Sequence, residues 1–206
     1  MMEYWSDGYK SINTPVLQLF KEGRCAMNLE LSRNGTLSPQ QLRQQLQQVA
    51  TSDLRRRRGV IGLSLVGIGC MTAVTLLQTG IVKHLPDPPI GNFDSDRVNS
   101  SDTAYRLGAP DGSISLASLA ANIPIAAFGG ANRVQTKPWV PLVAALKAAG
   151  EALAASWYFY QMPAKEKAWC GYCIVGALAN IGIAVLTIPE ARKAIAVLMS
   201  ETTKAQ

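Results

Sequence analysis

Two cysteines three residues apart, in Lys167-Ala168-Trp169-Cys170-Gly171-Tyr172-Cys173, are the residues of this chain whose types and spacing point most directly to chemistry. Sulfurs at that spacing share one helical turn and can close and reopen a small disulfide ring. The uncharged stretch 174–188 follows at once. The pair therefore opens a helix, where free backbone N–H groups and the macrodipole favour a thiolate on Cys170. The thiolate is the form that attacks a disulfide or reduces an acceptor. The same spacing also suits two inert residues packed in a helix, or half of a structural metal site. A metal site needs about four ligands, whereas Cys25 and Cys70 stand alone and His84 is the only histidine. No metal is expected.

The elements that must position the pair are long and apolar. Hydrophobic residues make up 48% of the chain and charged residues 17%, and the apolar ones are clumped. Residues 59–82 carry no charge over a length that crosses a bilayer, for which about 20 residues are needed. Residues 170–188 are similar, 113–131 are shorter and interrupted by Pro124, and 139–162 contain Lys147 and Glu151. Four spans give an all-α fold class: an integral membrane four-helix bundle with a long extracytoplasmic loop after the first span. The expected parts are an N-terminal extension at 1–54 with an amphipathic helix, the bundle at 55–188, and a cytoplasmic interfacial helix and tail at 189–206.

Charge sets the orientation. The net charge of +6 is densest at Arg55-Arg56-Arg57-Arg58, directly before the first span, where the positive-inside rule wants cytoplasmic charge. A topogenic role explains the run without any nucleic-acid partner. No cleavable leader is visible, because the first residues lack an apolar core. Both termini are expected in the cytoplasm of a multi-pass protein of the cell inner (plasma) membrane, with the cysteines at the outer face. That is the compartment in which disulfide chemistry operates.

Along the chain, 1–23 reads as irregular, and Met27 offers a second start. Ser38-Pro39 resembles a helix N-cap followed by proline at the first helical position, opening a helix that ends at the arginine run. The small residues of 59–82 allow close helix approach, and Cys70 reads as packing. The loop 83–112 carries five acids against three bases and reads as a functional cap, with a short helix at 102–107 closed by Gly108. Pro124 should kink the second span and make Asn122 a hydrogen-bonding candidate. Lys147 and Glu151 share one face of the third span. They suit a polar contact to a cofactor, a proton relay, or a self-neutralised structural pair. The connection 163–168 is too short to hide the cysteines deeply, and Pro189-Glu190 should begin a separate interfacial helix.

Four spans, a long outer loop after the first and Cys-x-x-Cys opening the fourth resemble the vitamin K epoxide reductase family over about 58–194, including Gly108-Ala109-Pro110 before the second span. The resemblance implies a bundle around a quinone of the menaquinone or ubiquinone type. Cys170 and Cys173 would be the catalytic pair, with Cys173, deeper in the helix, nearer the quinone. Ser95-Asp96-Arg97-Val98-Asn99-Ser100-Ser101 is similar to the family's Cys-x-x-Val-x-Ser-Ser stretch, which makes Ser101 a serine beside the active site. Ser95 stands where the family has cysteine, and no cysteine lies between Cys70 and Cys170. The loop shuttle pair is thus absent, a loss that looks shared with a bacterial subgroup, and no fused thioredoxin-like domain is expected.

The implied function is a membrane thiol–disulfide oxidoreductase passing electrons from protein thiols to a quinone. Ser101 and Asn122 would hydrogen-bond the quinone, and a thioredoxin-like periplasmic protein would be the partner. The alternative is an inactive relative serving as an accessory or structural subunit of a larger membrane complex. The first expects a pocket between spans one, two and four; the second expects buried sulfurs and a bundle too tight for a quinone. A small transporter has only Lys147 and Glu151 in its favour.

Overall fold

A computed structural model of the protein describes residues 37–204. The chain divides after Ser38 into two units, and every described element lies in the second, Pro39–Gln206. The irregular stretch 1–23 and the start at Met27 lie outside the described residues. Among the described residues seven α-helices follow one another: α1 (Pro39–Gln48), α2 (Ser52–Gln78), α3 (Ser95–Asn99), α4 (Asp111–Ala127), α5 (Arg133–Thr136), α6 (Trp139–Gln161) and α7 (Gly171–Lys204). A single π-helical turn, Met162–Glu166, continues α6. The described residues contain no strand, and the all-α expectation holds.

The helix before the arginine run ends sooner than its pattern suggests. Thr51 caps a new helix by accepting from the Leu54 amide at 3.2 Å, so the arginines fall in the first turns of α2. They are used for more than charge. Arg57 is buried and donates to the carbonyls of Phe128, Gly129 and Gly130 where α4 ends, while Arg58 donates to Leu46 and Val49 carbonyls of α1 and its exit.

The four long helices pack side by side. α2 runs along both α4 and α7, α6 runs along α7, and α4 touches α6 only sparsely. The close approaches depend on absent side chains. A Cβ on Gly112 would lie 2.8 Å from Val74 Cγ1 and 3.3 Å from the Thr75 backbone nitrogen, and one on Gly67 would lie 2.9 Å from Leu119 Cδ1. Large side chains such as Leu146, Leu153, Leu178 and Val185 point outward.

Two helices, α2 and α7, are long and apolar enough to cross a bilayer, yet only 28% and 22% of their most apolar stretches are buried. The core helix of a water-soluble protein would hide that face; here it is offered to the surroundings, as in a lipid-facing helix.

Two further local expectations fail. Pro189 does not begin a separate helix: α7 runs unbroken to Lys204. Ala191 and Ala194 are buried, and Glu190 pairs with Arg133 of α5 at 2.6 and 2.7 Å. These contacts hold the helix through the proline's missing N–H. The loop helix also forms elsewhere. Residues 102–107 make only successive turns, such as Gly108 N–H to the Tyr105 carbonyl at 3.0 Å. α3 forms instead over Ser95–Asn99, capped by the Asp94 carboxylate, which accepts from the Arg97 amide at 2.9 Å.

Candidate active site

The residues preceding Cys170 are extended and pinned to the loop. Trp169 donates its amide to the Asn92 carbonyl at 2.8 Å, and Asp94 donates to the Trp169 carbonyl at 2.9 Å. This bridge ends the approach and lets α7 start at once. Cys170 becomes the residue just before the helix: its carbonyl accepts from the Ile174 amide at 3.0 Å, and its Sγ accepts from the Cys173 amide at 3.1 Å. A side chain accepting from the third helical amide is the geometry of an N-cap. It supplies the N-terminal donor that the sequence anticipates for a thiolate.

Cys170 and Cys173 are joined as a disulfide, with Cα atoms 5.2 Å apart. The two sulfurs differ in access. Cys170 is fully buried, against Val98, Met162 and Ala168, whereas Cys173 is partly exposed and lines a cavity. Cys170 is thus hidden more deeply than the short connection 163–168 implies, because Val98 of α3 adds cover to that given by Met162 and Ala168.

Asn99, on α3, is the residue that sequence reasoning passed over. It is buried, its Nδ2 donates to Cys170 Sγ at 3.2 Å and to the Ser95 carbonyl at 2.7 Å, and its Oδ1 lies 3.4 Å from Cys173 Sγ. One amide therefore faces both sulfurs: it donates to Cys170 and, once the pair is reduced, can accept from a Cys173 thiol. A polar residue within a family-like loop motif was the available signal.

The loop that carries Asn99 is stapled by its acids. Asp87 accepts from the Ser95 amide at 2.7 Å and from its hydroxyl at 2.6 Å. Asp96 accepts from the Leu85 amide at 2.9 Å and pairs with His84 at 2.8 Å. Ser95, at the position of the expected loop cysteine, is thus a buried structural group. Gln78, at the end of α2, donates to the Asn99 carbonyl at 3.2 Å and to Asp111 at 2.7 Å, and accepts from the Gly112 amide at 3.0 Å. Burial pushes the Asp111 carboxyl above its ordinary value, against the opposing hydrogen bonds from Gln78 and Gly112.

The cavity has a volume of about 220 Å³ and lies among α2, α4, α6 and α7 beneath the loop. Cys173, Gly176, Ala177 and Asn180 form its wall on α7, the i, i+3, i+4, i+7 stripe of one helix face. Met71 and Val74 line it from α2, Ser115 and Ser118 from α4, and Ala154, Ala155 and Tyr158 from α6. Ser101 also lines it, while its hydroxyl donates to the Val98 carbonyl at 2.8 Å.

Asn122 does not line this cavity. It lies beside a much smaller one nearer Arg57, Arg133 and Glu190. Its amide is taken up by Lys147 and Glu151, at 2.9 Å each. Lys147 also donates to the Ser118 carbonyl at 2.8 Å and pairs with Glu151, which accepts from the Ser118 hydroxyl as well. This cluster bridges the sparse α4–α6 seam and closes the inner end of the cavity through Ser118 and Glu151. Among the described residues, no group of histidines, cysteines and acids could hold a metal.

Disulfide, cap and cavity occupy the region that a family comparison identifies. The model of the Vitamin K epoxide reductase family matches residues 59–188. The chain belongs to that family. No match was found among curated proteins or among solved structures. Family membership and the outward-facing apolar helices together mark a membrane protein.

Proposed function

We propose that the protein is a membrane thiol–disulfide oxidoreductase that carries electrons from protein thiols through Cys170 and Cys173 to a quinone. The observation that carries this reading is a disulfide with one sulfur, Cys173, on the wall of a mostly apolar cavity lined by four helices and the loop. The cavity fits an aromatic ring: a dry cavity of ~150 Å³ already binds benzene, and the wall surface here is mostly apolar. When bound, the quinone supplies the electron acceptor, taking two electrons and two protons and leaving as hydroquinone.

The chain's own part is exchange and placement. A partner dithiol is oxidised to a disulfide as Cys170–Cys173 is reduced to two thiols, and the pair is then reoxidised toward the cavity. The Cys173 amide and Asn99 Nδ2 stabilise negative charge on Cys170, the sulfur that leaves and attacks. Access to Cys170 requires α3 to move away, because Val98 and Asn99 cover it. The sparse α4–α6 seam gives a lipid-dissolved quinone a lateral way in.

The same reading takes α2, α4, α6 and α7 as a four-helix bundle in the inner membrane. Arg55–Arg58, Arg133 and Lys137 would lie on the cytoplasmic side with both termini, the disulfide and its loop on the outside, and a thioredoxin-like periplasmic protein would serve as thiol donor. A second reading, an inactive accessory subunit of a larger membrane complex, draws on the buried Cys170 and on Ser95 standing where the family has cysteine. The cavity weighs against it.

The test is hydroquinone formation in proteoliposomes given a short-chain quinone and a reduced thioredoxin-like protein, followed by ultraviolet absorbance. The wild type should form hydroquinone, and Cys170→Ser and Cys173→Ser should not. Equal rates in all three would exclude the cysteines from the reaction.

A further inference from the structure

The inner end of the cavity carries three polar side chains, Ser118, Glu151 and Asn180. Two of them are spoken for. Glu151 accepts from Lys147, Ser118 and Asn122, and Ser118 donates to Glu151 while its carbonyl accepts from Lys147. That cluster neutralises itself within the protein and leaves no group seeking a ligand. Asn180 differs. Its Oδ1 is buried and, among the described residues, accepts no hydrogen bond. An amide oxygen in that state is costly in the interior of a membrane protein, where no bulk water can serve it.

The position of Asn180 gives the orphan atom a purpose. It lies seven residues after Cys173, two turns along the same face of α7 and roughly 10 Å further from the disulfide. The two residues thus mark opposite ends of one cavity, with only Gly176 and Ala177 on the helix wall between them. Both are small enough to leave the intervening space to a flat ring.

We propose that Asn180 is the residue that hydrogen-bonds the ring oxygen remote from the disulfide, and that its free acceptor selects the hydroxyl-bearing, reduced form. The inference rests on the quinone reading above and adds to it the residue that reads the ring's redox state. Asn180 can donate through Nδ2 to a ring carbonyl, and its Oδ1, closed to a water-sized group in this structure, accepts from a ring hydroxyl once the side chain turns toward the cavity. Only the second contact satisfies the atom that the protein leaves unpaired. Asn180 is therefore a binding residue with a preference for the reduced ring, and Lys147–Glu151 is the structural clamp beneath it.

The experiment uses the full chain in detergent with no thiol donor present. Quenching of tryptophan fluorescence measures the affinity for a short-chain benzoquinone and, separately, for its hydroquinone, in the wild type and in Asn180→Leu. Thermal unfolding of the unliganded proteins is measured alongside. The expected result is a loss of about five- to thirtyfold in hydroquinone affinity, the scale of one hydrogen bond, with a smaller loss for the quinone. The unliganded Asn180→Leu protein should unfold at the same or a higher temperature, because an unpaired polar atom has been removed. Asn180→Leu binding both forms like the wild type would overturn this proposal alone. A lower unfolding temperature for Asn180→Leu would also overturn it, by showing that the side chain has a partner within the fold. A wild type that binds neither form would overturn the quinone reading and this proposal together.

Discussion

Replacing Asn99 with leucine removes the only side-chain donor that the described residues give Cys170 Sγ, at nearly constant volume. The effect falls unequally on the two redox states. A disulfide sulfur is a weak acceptor, whereas a thiolate is a charged one, and hydrogen bonds to charged groups contribute about 1.5–3 kcal/mol. The reduced pair therefore loses more than the disulfide does. For a two-electron couple, 1.4 kcal/mol corresponds to about 30 mV, so Asn99→Leu should move the reduction potential of Cys170–Cys173 about 30–65 mV more negative. The Cys173 amide still donates to Cys170 Sγ at 3.1 Å, which keeps the loss partial. Asn99→Asp should shift the potential in the same direction, because its carboxylate repels the thiolate. The assay equilibrates each protein against graded dithiothreitol buffers at about neutral pH, then traps free thiols and reads the reduced fraction. Asn99 also donates to the Ser95 carbonyl at 2.7 Å, so thermal unfolding of the oxidised proteins controls for loss of the loop. A potential unchanged within about 10 mV, or shifted positive, would refute the assigned role.

Three further outcomes follow from packing and charge. Gly112→Ala should separate α2 from α4 and cost about 1–3 kcal/mol, read as a lower unfolding temperature in detergent, since its Cβ would meet both Val74 and the Thr75 backbone. Glu190→Ala should cost about 3–5 kcal/mol by leaving the buried Arg133 without its counter-charge, while Arg133→Met/Glu190→Met should recover only part of it, because the Ile125 and Phe128 carbonyls then lose the Arg133 donor. Asp111 has its folded-state value raised by burial, so its contribution to stability is full below the ordinary carboxyl value of 3.8 and is lost as pH rises through the folded value. Asp111→Asn should accordingly unfold at a higher temperature than the wild type in neutral buffer, with the gap closing in acid; a gap that widens in acid would contradict the burial argument.

The long helices and the place of the disulfide were legible because both depend on local pattern. Uncharged stretches fix α2 and α7, and Cys-x-x-Cys at the edge of one of them puts a sulfur at a helix N-terminus. What was not legible depends on partners distant in the chain. The loop acids read as a sign of the outer face, yet Asp87, Asp94, Asp96 and Asp111 each accept a hydrogen bond that shapes the loop or its junction. Pro189 read as a helix start because no local signal reveals the Arg133–Glu190 pair that holds α7 together around it. Asn122 read as a ligand contact, but Lys147 and Glu151 claim it. Asn99 and Asn180 were missed for a shared reason: an asparagine in a loop motif or an apolar helix gives no sequence sign of which cavity or sulfur it will face.

The central claim is that Cys170 and Cys173 cycle against a quinone, and thiol trapping in native membranes tests it most directly. The pair is reduced with a pulse of mild reductant, the reductant is removed, and the free thiols are counted over time with and without added quinone. The account predicts that the disulfide re-forms only when quinone is present, and that Cys170→Ser or Cys173→Ser leaves the remaining thiol free throughout. A pair that stays in one state under both conditions would contradict it and leave the fold as a structural subunit.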